Sequence, residues 1–200
     1  DDIKEEYIFR APGIRYDVPQ FQRAVADGSV MTSEMELFFK LCPCRIIGVT
    51  GSDGKTTTTT LIYKMLTESG LRAFIGGNIG ASLLPAVGEM TENDIAVVEL
   101  SSFQLHTMNQ SPDIAVVTNI SPNHLNYHHG MEEYIDAKRN IYRYMNGGRL
   151  VLNERNEISR GMKYDAPDGT EVIYFAGDSG VYMSCLLYTS DAADDRISVD

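Results

Sequence analysis

The feature that most constrains this chain of 200 residues is a strand-like apolar run that passes through a glycine-rich turn into a Lys-Thr pair, RIIGVTGSDGKTT at residues 45–57. Glycines let the backbone of such a turn curl so that successive N–H groups point inward, and the helix that follows adds the partial positive charge of its N-terminus. Lys55 supplies a cation, and Thr56 supplies a hydroxyl for Mg²⁺. Val49 stands where the strict pattern has its first glycine. The segment predicts a phosphate-binding loop made of Gly51, Ser52, Asp53, Gly54, Lys55, Thr56 and Thr57.

Short runs rich in β-branched residues alternate along the chain with longer stretches of helical spacing. The runs at 45–49, 94–100 and 113–118 are apolar at consecutive positions, as in central strands that helices cover on both faces. The alternation predicts an α/β fold with a parallel sheet flanked by helices. The remaining predictions are a strand at 171–175 and helices at 19–27, at 33–40 with Ser33 as N-cap, and at 131–145. The helix after the loop is expected to bury Leu61, Ile62, Met65 and Leu66.

Composition narrows the possible partners and the compartment. The chain has 17 Lys and Arg against 28 Asp and Glu, a net charge of −11, which disfavours binding to a nucleic acid backbone. No apolar run approaches the roughly 18 to 20 residues of a membrane span. Three cysteines, an odd number, make a poor disulfide framework and indicate a reducing compartment. We therefore expect a cytoplasmic protein that binds no nucleic acid and does not span a membrane.

Polar residues follow the apolar runs, at the edge of the predicted sheet where ligands bind in such folds. Glu99 ends the second run, and near a phosphate loop such a carboxylate predicts a Mg²⁺ ligand; the alternative is a glutamate that faces solvent. His124 follows the third run and is the histidine expected to reach the crevice, whereas His128 and His129 are expected at the surface. No cysteine pair or second ligand cluster stands at metal spacing, so no zinc site is predicted. The glycine-rich stretch around Asn78 fits a ligand-binding loop and an ordinary loop equally well.

A lysine interrupts the apolar stripe of the helix predicted at 131–145. Lys138 lies four and three residues after Tyr134 and Ile135, and three before Ile141, so all four share one face. Lysine is seldom buried without a partner. The pattern leaves three interpretations open: the amine reaches past the apolar surface into water, the helix lies at a sheet edge, or the amine faces the crevice and takes part in the chemistry.

Five segments in order, GVTGSDGKTTTTT, GGNIG, VVELSSFQL, TNISPNHLNYH and YIDAKRNIY, resemble the Mur ligase family of peptidoglycan synthesis. The resemblance covers about residues 3–183 and is strongest to the branch that joins D-glutamate to UDP-N-acetylmuramoyl-L-alanine. It implies that residues 1–42 are the C-terminal part of a Rossmann-like, UDP-binding N-terminal domain and that residues 43–183 are an ATP-binding central domain. Residues 184–200 resemble the translation of a sequencing adapter, so we expect them to be a non-native tail.

The resemblance also implies a reaction. Enzymes of this family use ATP and Mg²⁺ to convert a carboxylate of the UDP-linked substrate into an acyl phosphate, which the amine of an amino acid then attacks. The catalytic residues implied are Lys55, His124 and Lys138, the last as a carbamate formed with carbon dioxide. The metal ligands implied are Thr56, Glu99, His124 and carbamylated Lys138. The residues implied to contact the UDP-linked substrate are Gly13, Asn78 and Ser101.

Departures from the family pattern and other branches qualify this expectation. Ala11 stands where the family usually has serine, and Asn123 and Asn126 flank His124 where aspartates are frequent. Other Mur ligases and the folylpolyglutamate synthases share the loop, the glutamate, the histidine and the lysine, and a non-catalytic ATP-binding fragment is a further alternative. The segments VVELSSFQL and APGI favour the D-glutamate branch. The protein is expected to be a monomer, and these 200 residues alone are not expected to ligate.

Overall fold

A computed structural model describes residues 3–123 and 127–177. Its first part is a small β-α-β unit followed by a helix. Strands β1 and β2 pair in parallel, with Ile8 opposite Met31, and the Ser33 hydroxyl caps the second helix by accepting the N–H of Glu36 at 3.2 Å. Both helices predicted here are confirmed to within a residue or two at either end. The elements are β1 (Tyr7–Phe9), α1 (Pro19–Ala26), β2 (Val30–Thr32) and α2 (Glu34–Leu41).

The second part is a six-stranded sheet in which every neighbouring pair of strands is parallel. Its strands are β3 (Arg45–Thr50), β4 (Ala73–Gly77), β5 (Ile95–Glu99), β6 (Ile114–Val117), β7 (Arg149–Asn153) and β8 (Glu171–Phe175). The helices are α3 (Lys55–Glu68), α4 (Ser102–Leu105), α5 (Met131–Arg143) and α6 (Glu157–Gly161), with 3₁₀ turns at Leu84–Glu89 and Met162–Asp165. The predicted α/β fold with a parallel sheet is therefore confirmed.

The strand order β4-β5-β3-β6-β7-β8 places a topological switch beside β3. The chain leaves β3 for one side of the sheet, builds β4 and β5 there, and then crosses to β6 on the other side. In sheets of this kind, ligands bind in the crevice at such a switch point, outside the carboxyl ends of the strands. The loops that follow β3, β5 and β6 therefore meet at one edge of the sheet, where the sequence places its polar residues.

The central strands are buried on both faces, which explains why their sequences are apolar at consecutive positions. Ala96, Val97 and Val98 in β5 have no solvent-exposed surface, and neither do Ala115 and Val117 in β6. Helices cover a parallel sheet on both sides, so inward and outward side chains of these strands both meet apolar neighbours.

Helix α3 buries a different face from the one predicted. Leu61 and Met65 are 54% and 69% exposed, whereas Thr59 is fully buried and Ile62 and Leu66 are partly buried. Positions 59, 62 and 66 follow one another at helical spacing and form the stripe that faces the sheet. This register could not be predicted because Thr59, the most buried residue of the stripe, is one of five consecutive threonines rather than a large apolar side chain.

Three of the predictions lie outside the described residues. They concern His124, Asn126 and the tail at 184–200. Among the described residues, no helix is both long and apolar enough to cross a membrane.

Candidate functional site

The glycine-rich turn between β3 and α3 needs its glycines for backbone geometry. Gly51 and Gly54 have φ angles of +150° and +75°, values that other residues rarely adopt. A Cβ atom at Gly51 would lie 1.9 Å from the Thr118 hydroxyl, so the turn also packs too closely against the end of β6 for any side chain there. Gly54 directly precedes α3, whose first residue is Lys55.

The end of β6 holds this turn in place through main-chain and side-chain hydrogen bonds. The Ser52 N–H donates to the carbonyl of Asn119 at 2.8 Å, and the side-chain oxygen of Asn119 accepts the Asp53 N–H at 3.1 Å. The Thr118 hydroxyl donates to the Asp53 carbonyl at 2.6 Å. Thr118 and Asn119 were given no role in the sequence analysis, although they directly follow the apolar run of β6. They fix a loop whose N–H groups could bind phosphate.

Lys55 lies across the loop as a phosphate-binding lysine would. Its half-buried amine donates to the carbonyls of Gly51 and Ser52, at 3.0 Å each. An ammonium held at this place, together with the loop N–H groups and the start of α3, makes the loop a local region of positive potential in an acidic chain.

Glu99, at the end of β5, is buried beside the loop and has two side-chain donors. Its carboxylate accepts the Thr56 hydroxyl at 2.7 Å and the Asn78 amide at 2.8 Å, one on each oxygen. The residue is only 1% exposed, which excludes the alternative of a glutamate facing solvent. Gly77 permits this approach, since a Cβ atom there would lie 2.2 Å from the Glu99 carbonyl oxygen. The structure therefore brings Thr56, Asn78 and Glu99 together.

The atoms around Glu99 suit a hard divalent cation. Magnesium prefers carboxylate and hydroxyl oxygens, and one of each lies here within 2.7 Å of the other beside the phosphate loop. The residues present therefore fit Mg²⁺, with Thr56 and Glu99 as the groups that would hold it. The other predicted ligands are His124, which lies outside the described residues, and Lys138.

Lys138 points into this site and not into water. The residue is 1% exposed, and its amine donates to the Gly51 carbonyl at 2.8 Å and to the Thr50 hydroxyl at 3.3 Å. The ring of Tyr134 lies 4.8 Å from the amine. Burial, and then the nearby Lys55 ammonium, lower the pKa of Lys138 to about 7. Of the three interpretations of this lysine, only the one that places its amine in the crevice agrees with the structure.

A cavity of about 170 Å³ joins these groups. Four of its lining residues were predicted from the sequence, and three others, Ser102, Phe103 and Tyr134, were not assigned a role in the site. Tyr134 lies one helical turn before Lys138, on the apolar stripe where the sequence predicts a core residue. Its hydroxyl lies 2.9 Å from that of Ser52, so it also contacts the loop. The cavity is lined by Lys55, Asn78, Ser101, Ser102, Phe103, Tyr134 and Lys138.

Other predicted residues lie apart from this cavity. Gly13 is exposed in a turn and is not among the residues that line it; its neighbours Ala11 and Pro12 line a second cavity, of about 380 Å³, together with the start of α2. Asp53 and Thr57 belong to the loop region but are exposed and do not line the cavity. The structure thus gathers Lys55, Asn78, Ser101 and Lys138 around one space and leaves Gly13 outside it.

The prediction that His128 lies at the surface is wrong, whereas that for His129 is confirmed. His128 is only 1% exposed. Its ring centre lies 5.0 to 5.8 Å from those of Phe103, Tyr127 and Tyr134, and the four rings form one aromatic group. The His129 side chain is 72% exposed. No pattern in the sequence predicts this group, because its members come from α4, from the segment before α5 and from α5 itself.

Comparison with known proteins agrees with the resemblance read from the sequence. Residues 49–194 match the model of the Mur ligase middle domain. The chain is 55% identical over 178 residues to a UDP-N-acetylmuramoylalanine–D-glutamate ligase from Acetivibrio thermocellus, which covers 88% of this chain and 38% of that protein. It is 53% identical over 172 residues to the ligase of the same name from Ruminiclostridium cellulolyticum, which covers 86% and 37%. The chain spans about two fifths of the length of these relatives.

Solved structures with the same fold include two other ligases. A UDP-N-acetylmuramate:L-alanyl-γ-D-glutamyl-meso-diaminopimelate ligase from Neisseria meningitides superposes with a TM-score of 0.63 at 16% identity, over 90% of this chain and 61% of that one. The UDP-N-acetylmuramate–alanine ligase of Thermotoga maritima superposes with a TM-score of 0.56 at 22% identity, over 90% of this chain and 40% of that one. At these identities the likeness is one of fold.

Proposed function

Because the chain belongs to the Mur ligase family, we propose that it acts in the ATP-dependent joining of D-glutamate to UDP-N-acetylmuramoyl-L-alanine during the synthesis of peptidoglycan precursors in the bacterial cytoplasm. The observation that carries the proposal is the single cavity beside the phosphate loop. The Lys55 ammonium, the Asn78 amide and the Lys138 amine all line this cavity. Asn78 in turn donates a hydrogen bond to the buried carboxylate of Glu99. The amino acid and the UDP-linked substrate are those for which the two relatives are named.

The proposed reaction begins with a transfer between two anions. A carboxylate oxygen of the UDP-linked substrate attacks the γ-phosphorus of ATP, the bond to the β-phosphate oxygen breaks, and an acyl phosphate and ADP result. Repulsion between the anions opposes their approach, so catalysis rests on positioning and on neutralising charge. The loop N–H groups and Lys55 supply that charge here. Mg²⁺, held by Thr56 and Glu99, would neutralise further charge on the phosphates.

The second step forms the new bond. The D-glutamate amine attacks the acyl carbon, phosphate leaves, and the amine loses a proton. Asn78 and Ser101 are proposed to contact the UDP-linked substrate, because both line the cavity in which its carboxylate must lie. Ser101 is fixed for this role by a capping box with Gln104 at the start of α4. Gly13 is proposed to contact the uridine diphosphate, and His124 to assist a second metal ion.

The proposed modification of Lys138 follows from the same surroundings. A neutral amine attacks carbon dioxide, a C–N bond forms, and one proton is released to leave a carbamate. Burial lowers the pKa of Lys138 to about 7, so a large share of the amine is neutral near neutral pH and able to react. The carbamate would turn a buried cation into an anionic oxygen ligand for Mg²⁺ beside Glu99.

Nucleotide binding by this chain tests the phosphate site. We expect ATP with Mg²⁺ to bind the 200-residue chain in isothermal titration calorimetry, and Lys55→Ala to weaken that binding at least about tenfold, since a charge-assisted contact to phosphate is worth about 1.5–3 kcal/mol. Lys64→Ala is the matched control, because Lys64 is an exposed lysine on the same helix. Equal affinities for Lys55→Ala and the parent chain would contradict the proposed role of the loop.

A second experiment tests which amino acid the enzyme uses, and it is made with the natural gene product. We expect it to release phosphate from ATP only when UDP-N-acetylmuramoyl-L-alanine and D-glutamate are both present. Release that depends on another amino acid, with the same nucleotide site, would assign the chain to a different branch of the family.

A further inference from the structure

Two histidines and a glutamate that are far apart in sequence meet behind the wall of the cavity. His106 is the C-cap of α4, His128 lies in the segment before α5, and Glu133 lies in the first turn of α5. One carboxylate oxygen of Glu133 is 3.5 Å from Nε2 of His106 and 3.5 Å from Nδ1 of His128. The three ligand atoms all lie within 4.8 Å of one another.

We propose that His106, His128 and Glu133 form a binding site for a borderline transition-metal ion of the Zn²⁺ class. The site is distinct from the Mg²⁺ position beside the phosphate loop, and it does not depend on the proposed ligase reaction.

Two of the three spacings are close to what the metal requires, and the third, between the two histidine nitrogens, is at most 4.8 Å. Zinc bonds of about 2.0–2.2 Å in a tetrahedral arrangement separate two ligand atoms by about 3.4 Å. Both distances to the Glu133 oxygen, at 3.5 Å, are therefore within a small side-chain adjustment of a bound geometry. They are too long for good hydrogen bonds, and among the described residues Nδ1 of His128 is buried without any hydrogen-bond partner.

The histidines are in the right chemical state for metal binding. Burial lowers the pKa of His106, and it lowers the pKa of His128 to about 4, so both rings are neutral at pH 7 and carry a free electron pair. The second nitrogen of His128, Nε2, lies 2.9 Å from the Ser102 hydroxyl. Such a hydrogen bond on the far nitrogen orients metal-binding histidines and fixes which nitrogen faces the ion.

The charged groups around the site balance one another. The guanidinium of Arg15 donates to the same Glu133 oxygen at 3.0 Å, as donors commonly do to carboxylates that bind metals. Arg15 is itself neutralised by two hydrogen bonds to Asp17, at 2.9 and 2.7 Å. The other oxygen of Glu133 accepts the His129 N–H at 3.1 Å. With neutral histidines, the charges of Arg10, Arg15, Asp17 and Glu133, which all act on His106, sum to zero, so the ion would meet no net positive charge.

Two nitrogens and one oxygen select the class of metal. Imidazole ligands suit Zn²⁺ and related ions, whereas Mg²⁺ prefers oxygen ligands in an octahedral arrangement. A bound ion would tie α5 to the end of α4, and Ser102 at the start of α4 is also part of the cavity wall. The ion would therefore hold the start of α4, which forms part of the cavity wall, more rigidly against α5.

Metal titration of the 200-residue chain tests the site. We expect the metal-free protein, in excess Mg²⁺, to bind one Zn²⁺ in competition with a chromophoric chelator, and one Co²⁺ with visible absorption bands of a low-coordinate site. His106→Ala and His128→Ala should each weaken Zn²⁺ binding by more than about 100-fold, beyond the roughly 10- to 100-fold loss that follows changes to the partners of metal ligands. His129→Ala is the matched control, since it removes an exposed histidine adjacent to the site.

Three outcomes would contradict the proposed metal site. They are the absence of one-to-one Zn²⁺ binding by the folded parent chain, equal loss in His129→Ala and His128→Ala, and loss in His124→Ala with none in His106→Ala. Glu133→Gln, which keeps the shape of the side chain, guards against misfolding: it should retain the circular dichroism spectrum and lose Zn²⁺ binding. Lys55→Ala should retain Zn²⁺ while losing ATP, so failure of the metal site and failure of the nucleotide site are distinguishable.

Discussion

The phosphate loop and the contact between the two parts of the chain are both well packed, but they are held by different kinds of bond. The loop at 51–54 is fixed mainly by main-chain groups and by short side chains of the strand beside it, such as Thr118. The other region, which we call the N-terminal seam, joins residues 10–17 to α4 and to residues 127–133. There, two long arginine side chains, Arg10 and Arg15, carry most of the polar contacts, and the Tyr127 hydroxyl adds hydrogen bonds to the carbonyls of Pro12 and Ile14.

The seam centres on one buried cation. Arg10 is 3% exposed and donates to the carbonyls of Pro12 and Ile14 in its own turn, at 3.2 and 2.7 Å. It also donates across the seam to the Phe103 carbonyl and to the Thr107 hydroxyl, at 3.0 Å each. Arg15 adds its ion pair with Glu133 and a hydrogen bond to the Tyr127 carbonyl. We therefore expect the loop to tolerate the loss of one side chain better than the seam does.

Replacing the buried arginine of the seam should have the largest effect. Arg10→Met keeps the apolar stem but removes every guanidinium donor. The Phe103 carbonyl and the Thr107 hydroxyl lose their contact with Arg10, whereas the carbonyls of the turn keep the Tyr127 hydroxyl as a donor. We expect the free energy of unfolding to fall by about 2–4 kcal/mol, in the range of a broken buried hydrogen-bond network. Urea unfolding measures the loss, and hydrogen exchange should show faster exchange in β1 and β2.

The control for this change is Arg155→Met, which removes an exposed arginine far along the chain. It should alter stability by no more than about 0.5 kcal/mol. If Arg10→Met were as stable as Arg155→Met, the seam would not depend on its buried cation, and the contrast with the loop would fail.

Within the site, the pH dependence of stability should reveal the buried amine. The pKa of Lys138 is about 7 in the folded chain and 10.5 in its ordinary state. Below pH 7 both states hold the proton, and the full cost of burying the ammonium destabilises the fold. Between the two pKa values only the unfolded chain holds it, so stability rises with pH by up to about 1.4 kcal/mol per unit.

Lys138→Met removes this group, so the variant should be more stable than the parent at pH 7 and should lose part of that advantage by pH 9. Urea unfolding at the two pH values, in buffer free of carbon dioxide, measures the change. Lys64→Met, at an exposed position on α3, is the control and should show no such trend. If the free energy of unfolding changed with pH in the same way for Lys138→Met and the parent, burial would not lower the pKa of the Lys138 amine.

The same contrast between local and distant contacts explains what could be predicted from the sequence. Strands β3, β5 and β6 were predicted because a strand buried on both faces shows as a continuous apolar run, and the edge strand β8 was predicted from a short apolar run of its own. Strands β2 and β7 were not, because three residues at Val30–Thr32 and a short run at Arg149–Asn153 lack that signal. The loop residues were found because glycines, lysine and threonine stand together in the sequence.

The groups that come together only in space could not be found in this way. Nothing in the sequence places His106 beside His128, because the first lies at the end of a four-residue helix and the second in the segment before α5. The buried position of Lys138 was visible as a break in an apolar stripe, but its direction depended on the sheet that the helix covers. Tyr134 could not be told from a core residue, since its ring is buried and only its hydroxyl contacts the loop.

Removing the Tyr134 hydroxyl should have the smallest effect of the changes that compare the loop with the seam. Tyr134→Phe keeps the ring beside the Lys138 amine and removes only the hydrogen bond to Ser52, whose hydroxyl also donates to the Ser121 carbonyl at 2.8 Å. Because the loop has these other bonds, we expect a loss of about 1 kcal/mol, or about 2–4 °C in the unfolding temperature, and less than about a fivefold loss in ATP affinity. Differential scanning calorimetry and ATP titration measure both, with Tyr164→Phe at an exposed position as the control. A loss as large as that in Arg10→Met would show that the loop, like the seam, depends on a single distant side chain.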